Sequence, residues 1–342
     1  MQNLFVGLTP LHVLIAICSK ERKPNDLVVL LDQSGSLFDF YKVVLQSGVI
    51  KNLEYIDASR SFQKLSTYFL KARVPKASVF ERQVRLLIEK TYREVYVFND
   101  LAPEVQLILS RVKFTSVHYV EDGSAAYNSH YVSRSIFKKI VLKVLFKNFY
   151  DPIKVIGTSK YVNDGIYSYP DYVRKENMVK PARTLRFHTD FRKNLVLLAE
   201  QYRGVSKKDD HLKRKCIIYL PKDCKIKVSD LIDHARQQAR TMGIYNLQVV
   251  LKIHPLSEPR EKIDSRENKN VVLCPKDMPG ELLPEVYKNV AIVLGSGSTI
   301  LMNTRRFYQD IKVVNIIKTF PGPYDNFLED IGVTCESVTG KI

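Results

Sequence analysis

Tryptophan is absent from the 342 residues, and cysteine and methionine number only five each. The thiols Cys18, Cys216, Cys224, Cys274 and Cys335 show no Cys-x-x-Cys pairing. Three of them, Cys18, Cys216 and Cys274, fall inside apolar runs, so the set reads as reduced core thiols and not as staples or metal ligands. Also missing is any apolar stretch of the roughly 18 to 20 residues that spans a bilayer, and the opening Leu4-Phe5-Val6 run lacks the basic flank and cleavage site of a signal peptide. These absences lead us to expect a cytoplasmic protein. No internal repeat or low-complexity tract is present, and no Gly-Lys-Ser/Thr sequence allows a Walker loop.

Acidic residues are in the minority, 36 against 53 Lys and Arg, for a formal charge of +17. Such an excess points to an acidic partner or an acidic surface without naming it. The basic residues are not interleaved with aromatics, and no helix-turn-helix, zinc-finger or RNP pattern occurs, so no nucleic-acid partner is expected. One concentration favours a membrane surface. In 133–150, Ile136, Phe137, Ile140, Val141, Val144 and Leu145 recur at helical spacing with Arg134, Lys138, Lys139, Lys143 and Lys147 between them. A helix of this kind can lie among anionic headgroups, where each Lys or Arg adds about 1 kcal/mol. It can equally be a surface helix packing its stripe on its own domain.

An apolar fraction of 45% over this length supports two domains with real cores. The first part alternates expected strands and helices at 3–6, 11–18, 27–31, 38–46 and 53–56. After a longer basic helical region at 62–90, the pattern resumes at 95–98, 104–110 and 114–120. A charged stretch at 202–215 reads as the linker. Beyond it come a strand at 216–220, a helix at 228–242, strands at 247–253 and 270–273, a short helix at 281–287, a strand at 290–294, a helix at 298–307 and a strand at 311–316. Alternation of this kind indicates parallel sheets covered by helices. The expected fold is therefore α/β, with two Rossmann-like domains, 1–205 and 206–342, whose sheets face a central cleft, and with a final helix able to pack back on the first domain.

Three polar islands each follow an apolar, β-branched run of strand length: Glu121-Asp122-Gly123, His254-Pro255 and Gly295-Ser296-Gly297-Ser298-Thr299. In open α/β sheets ligands bind outside the carboxyl ends of the strands, where these islands fall. The glycine-serine turn offers N–H groups and hydroxyls at a helix N-terminus, an anion site, although Ser298 can also be simply the N-cap. Pro255 ends the strand before it and fixes where the His254 imidazole points. From a strand end that imidazole can donate to a phosphate oxygen and stabilise a leaving group, or it can be a structural histidine. Asp122-Gly123 is a common turn dipeptide, yet two adjacent carboxylates closing a buried strand can also deprotonate an acceptor hydroxyl, with Gly123 admitting a bulky group close to the backbone.

The acidic pair with its glycine, the His-Pro motif and the serine-rich turn, in that order, resemble the bacterial sialyltransferases that use CMP-sialic acid, both the lipooligosaccharide enzymes of glycosyltransferase family 52 and the capsule polysialyltransferases. Thr9-Pro10-Leu11-His12 after the first strand resembles their Thr-Pro-Leu start, and Pro279-Gly280-Glu281-Leu282-Leu283 their Pro-x-Glu-Leu segment. The resemblance implies the GT-B architecture and a set of roles. His254, with Pro255 and Lys252 beside it, would hold the CMP phosphate and act as electrophile or general acid. Gly295, Ser296, Gly297, Ser298 and Thr299 would bind the same phosphate, and Glu281 would accept from the ribose or cytosine. Thr9, His12 and Gly123 would lie on the acceptor side. The base would be Glu121 or Asp122, as in the polysialyltransferases, or Asp223, as in the lipooligosaccharide enzymes. The chain departs from its relatives in the glycine between its serines and in Ile253 before the histidine, where some carry proline.

No cofactor and no metal is implied. The chain has no Asp-x-Asp motif, and CMP leaves with a single phosphate that needs no metal to neutralise it. The expected activity is transfer of sialic acid, with inversion, to a hydroxyl of lipooligosaccharide, O-antigen or capsule. The expected partners are a nucleotide-sugar donor, a glycan acceptor and an anionic membrane surface at the inner face of the bacterial inner membrane; a homodimer is left open. Two alternatives are transfer of a different activated sugar such as CMP-Kdo or a UDP-hexose, and a basic nucleic-acid- or lipid-binding protein.

Overall fold

The computed structural model describes residues 1–59, 62–67, 70–75, 77–121, 123–127, 149–174, 180–202, 213–220, 227–254, 270–275, 278–317 and 322–337. The chain divides into two compact units, Met1–Asn194 and Leu195–Ile342. The expected basic helix 133–150 lies outside the described residues except for its last two, and most of the expected linker 202–215 does too. Among the described residues no helix is long and apolar enough to cross a membrane.

The first unit holds β1 (Leu4–Gly7), β2 (Leu27–Asp32), β3 (Leu53–Asp57), β4 (Phe62–Thr67), β5 (Leu70–Pro75), β6 (Glu94–Val97), β7 (Ser116–Val120), β8 (Asp164–Tyr167) and β9 (Ala182–Thr184). Seven of them form one parallel sheet in the order β3-β2-β1-β6-β7-β8-β9. β2 is buried along its whole length, which is why Leu27-Val28-Val29-Leu30-Leu31 reads as an unbroken apolar run instead of an alternating one. The helix Pro10–Cys18 starts with proline, whose missing N–H costs nothing in a first turn, and buries His12 to Cys18.

The expected helical region 62–90 is corrected. β4 and β5 pair antiparallel from Phe62 opposite Pro75 to Thr67 opposite Leu70, and only then come the helices Ala77–Gln83 and Arg85–Ile88. Val, Thr, Tyr and Phe favour a pleated strand, and Pro75 cannot sit inside a helix, so local propensity outweighs the basic, helix-like composition.

The second unit holds β10 (Arg214–Leu220), β11 (Leu247–Ile253), β12 (Val271–Leu273), β13 (Val290–Gly295), β14 (Lys312–Ile317) and β15 (Thr334–Ser337), all parallel in the order β12-β11-β10-β13-β14-β15. The core beneath this sheet joins Ile218, Val249, Leu251, Ile292 and Val314 to Leu231, Ala235 and Ala239 of the helix Val228–Thr241. The helix Pro323–Asp330 packs on β14 and β15 of the same sheet. Numbered within its own unit, this sheet runs 3-2-1-4-5-6, the Rossmann order that reverses direction between its first and fourth strands. That reversal falls between β10 and β13.

Candidate functional site

At the reversal point the two flanking loops of a Rossmann sheet part in opposite directions and leave a crevice at the strand ends. Here β13 ends at Gly295, and the helix Thr299–Phe307 begins four residues later. Ser298 is the N-cap, its hydroxyl accepting from the Ile300 N–H at 3.3 Å, so the capping role foreseen for it is realised. Gly297 has φ +57°, a left-handed conformation in which a side chain is strained. Gly295 is buried, Ser296, Ser298 and Thr299 are half-buried, and Gly297 is exposed, so the turn meets solvent on one side only.

β11 ends beside β10, and His254 follows it directly; its N–H donates to the Leu220 carbonyl at 3.1 Å. The residue is exposed. The imidazole-bearing residue and the glycine-serine turn therefore stand at the same end of one sheet on either side of β10, about 10 Å apart as two inter-strand spacings. Pro255 and Asp223 lie outside the described residues. Lys252 is buried, its ammonium donating to the Pro275 carbonyl at 2.9 Å.

Glu281 sits in the single turn Gly280–Leu282 and is buried. Two tyrosines hold that turn: Tyr219 donates to the Gly280 carbonyl at 2.5 Å and Tyr308 to the Glu281 carbonyl at 3.0 Å. Burial, then the nearby Glu281, pushes the Tyr219 phenol well above its ordinary pKa, which keeps it a donor. The Glu281 carboxylate accepts from the Asn303 amide at 3.3 Å. A Cβ on Gly280 would come within 2.6 Å of Ile300 Cδ1 and 2.9 Å of the Tyr219 ring, so glycine is what lets this segment lie against β10 and the helix after the turn.

In the first unit the acidic island follows β7. Glu121 is fully buried; Ser168 donates to its carboxylate through its hydroxyl and, at 2.6 Å, through its N–H, and Tyr127 donates through its phenol. This carboxylate ties the end of β7 to the segment after β8. Asp122 lies outside the described residues, and Gly123 opens a short turn with φ +79°. At the end of β1, Thr9 is exposed and caps its helix, accepting from the His12 N–H at 3.4 Å. His12 is completely buried, stacks on Phe98 at 4.8 Å and accepts the Leu8 N–H at Nδ1 at 2.9 Å, which leaves its ring proton on Nε2.

Sequence reading missed the partners that hold these residues: Ser168 and Tyr127 for Glu121, Tyr219, Tyr308 and Asn303 for the Glu281 turn, and Asn315 for the glycine-serine turn. Asn315 left a signal, a lone amide in the apolar run Val313-Val314-Asn315-Ile316. The tyrosines left none, since buried Tyr is ordinary core.

Residues 38–174 match the model of glycosyltransferase family 52. The structure resembles that of the α/β-galactoside α-2,3-sialyltransferase from Photobacterium phosphoreum, with a TM-score of 0.56 at 11% identity and 98% of each chain covered. A Photobacterium 2,6-sialyltransferase solved with CMP and lactose gives 0.49 at 13% identity, over 98% of this chain and 78% of that one. The ADP-bound heptosyltransferase of E. coli gives 0.46 at 10% identity, over 98% and 91%. No curated protein sequence matches the chain. Two Rossmann-type parallel sheets, with a crevice at the strand ends of the second, are those of the GT-B fold class. The family match covers 38–174 alone, within the first unit.

Proposed function

We propose that the chain is an inverting sialyltransferase that moves sialic acid from CMP-sialic acid to a hydroxyl of a surface glycan without a metal. The observation that carries this reading is the pairing, on either side of β10, of His254 with a glycine-serine turn that opens a helix. The helix N-terminus and hydroxyls bind one phosphate, and an imidazole N–H aimed at the same phosphate stabilises the charge that grows on it as the glycosidic bond breaks. Glu281, held by two tyrosines and an asparagine, accepts from the nucleoside. The acceptor oxygen attacks the anomeric carbon, the bond from that carbon to the phosphate oxygen breaks, and CMP leaves with the electron pair.

The acceptor proton goes to a carboxylate base. With Glu121 engaged by Ser168 and Tyr127, the base we assign is Asp122; Asp223 is the competing candidate. The basic stretch 133–150 is the element we assign to an anionic membrane surface, where a lipid-linked acceptor would be met.

Incubation with CMP-sialic acid and lactose, followed by CMP release, tests the reading. Release above the hydrolysis background with a sialylated product supports it; no release with any galactoside and no CMP binding overturns it. Thermal shifts with CMP against UDP separate it from transfer of a UDP-hexose, and parallel assays with CMP-Kdo separate the two CMP sugars.

A further inference from the structure

The glycine-serine turn is held from below by a residue that touches no solvent. Asn315 is fully buried in β14, directly across from Gly295 in the sheet register. Its side-chain oxygen accepts the Gly297 N–H at 2.8 Å, and its amide nitrogen donates to Asp325 Oδ1 at 2.7 Å and faces Cys335 Sγ at 3.4 Å. The other oxygen of Asp325 accepts the Gly322 N–H at 2.7 Å, at the start of the helix Pro323–Asp330.

Every group in this relay has a fixed sense. A backbone N–H must donate, so Asn315 presents oxygen to Gly297; its nitrogen then faces a carboxylate that can only accept. The relay ties Gly297, at φ +57°, to the body of the sheet, while no atom beyond its own chain neighbours lies within 4 Å of where its Cβ would be. Glycine at an exposed turn samples many conformations. Without a partner on its N–H, the turn that carries Ser296 and Ser298 would lose its single shape.

We propose that Asn315, oriented by Asp325, is the positioning residue that sets the Gly295–Thr299 turn for a donor phosphate. The proposal rests on the reading of that turn as the phosphate site. Asn315 does not touch the phosphate; it acts through the Gly297 peptide.

The test is a reciprocal exchange in the full chain, with CMP titrated by calorimetry and melting followed in parallel. Asn315→Asp keeps an oxygen for Gly297 but sets two carboxylates against each other. Asn315→Asp/Asp325→Asn restores one donor–acceptor pair with its direction reversed, and an oxygen remains for each of the Gly297 and Gly322 N–H groups. We expect the single variant to bind CMP about ten-fold more weakly, the factor one lost hydrogen bond sets, and the double variant to recover to within about three-fold of wild type. Asn315→Asp that melts lower yet binds CMP like wild type overturns the proposal and leaves Asn315 a structural residue only. A double variant that regains melting temperature without regaining affinity overturns it as well. If the wild type binds ADP or UDP and not CMP, the sialyltransferase reading fails, and the same two variants titrated with that nucleotide decide the proposal by the same criteria. If the wild type binds no nucleotide and no inorganic phosphate, both fall.

Discussion

The Ser168 N–H lies 2.6 Å from the Glu121 carboxylate, and its hydroxyl reaches the same group, so an acid that closes β7 clamps the chain leaving β8. Glu121 is thereby committed to holding the fold, and Asp122 is the proposed base. Glu121→Gln replaces an acceptor-only group with one whose NH2 opposes donors, and should lower stability by about 1–3 kcal/mol, read as a shifted urea midpoint. Asp122→Asn should leave that midpoint in place and cut turnover by about 10²–10⁴-fold, the range for a lost general base. An Asp122→Asn variant with wild-type turnover would return the base to Asp223.

His254→Ala removes a side chain from an exposed strand end and keeps the N–H that meets Leu220. Melting should stay unchanged, and turnover should fall by about 10²–10³-fold, as for a lost donor to a developing charge. Product analysis by mass spectrometry distinguishes this from a shift to hydrolysis of the donor.

At Gly280 a methyl group has nowhere to go, with Ile300 at 2.6 Å and the Tyr219 ring at 2.9 Å from the added carbon. Ile300 can turn aside; the ring, fixed by its bond to the Gly280 carbonyl, cannot do so without losing it. Gly280→Ala should cost about 1–3 kcal/mol, typical of overpacking, and should weaken CMP binding because Glu281 shifts with the turn. A variant with unaltered melting and affinity would show that this segment moves independently of β10.

Asp32 closes β2 and receives the N–H groups of Ser34, Gly35 and Leu37 at 2.9, 2.7 and 2.7 Å and the hydroxyls of Ser34 and Tyr55, each at 2.9 Å. Burial pushes its pKa up, but these donors prevail and hold it below the ordinary carboxylate value. A carboxylate depressed in the folded state contributes stability that is complete above its unfolded pKa and is lost as pH falls through the folded one. Urea midpoints of wild type and Asp32→Asn should thus differ most near neutral pH and draw together as pH falls through the lowered folded-state pKa. A difference that persists unchanged in acid would contradict this.

Cys216 is buried in β10, where desolvation pushes its thiol far above the ordinary range, and burial also raises the half-buried Cys335. Neither is a thiolate at neutral pH, so native alkylation by iodoacetamide at pH 7 should leave both unmodified over minutes, and denaturation should expose them. Rapid native labelling of Cys335 would mean that its neighbours Asn315 and Asp325 open.

Much of the sheet framework was legible because buried parallel strands must be apolar along their length. The runs at Leu27–Asp32, Leu247–Ile253 and Val290–Gly295 need little context to be read. β8, β9 and β15 escape the sequence reading because Asp164-Gly165-Ile166-Tyr167, Ala182-Arg183-Thr184 and Thr334-Cys335-Glu336-Ser337 carry no apolar run, unlike the equally short β1, β6 and β12. The basic composition of 62–90 suggests a helical region, whereas the strand propensity of the hairpin β4–β5 prevails once its two strands pair. The site residues at strand ends were legible, because a breaker or polar group after an apolar run marks where a sheet stops.

What the sequence determined by itself was the alternation of elements and the chemistry available at their ends: an imidazole, a glycine-serine turn and an acid pair, each after a strand. Only the tertiary structure decided how those groups are used. Hydrogen bonding between distant segments commits Glu121 to Ser168 and Gly297 to Asn315. Such partners are 47 and 18 positions apart, separations that no local period records, and burial makes each donor–acceptor match obligatory once the sheet has formed.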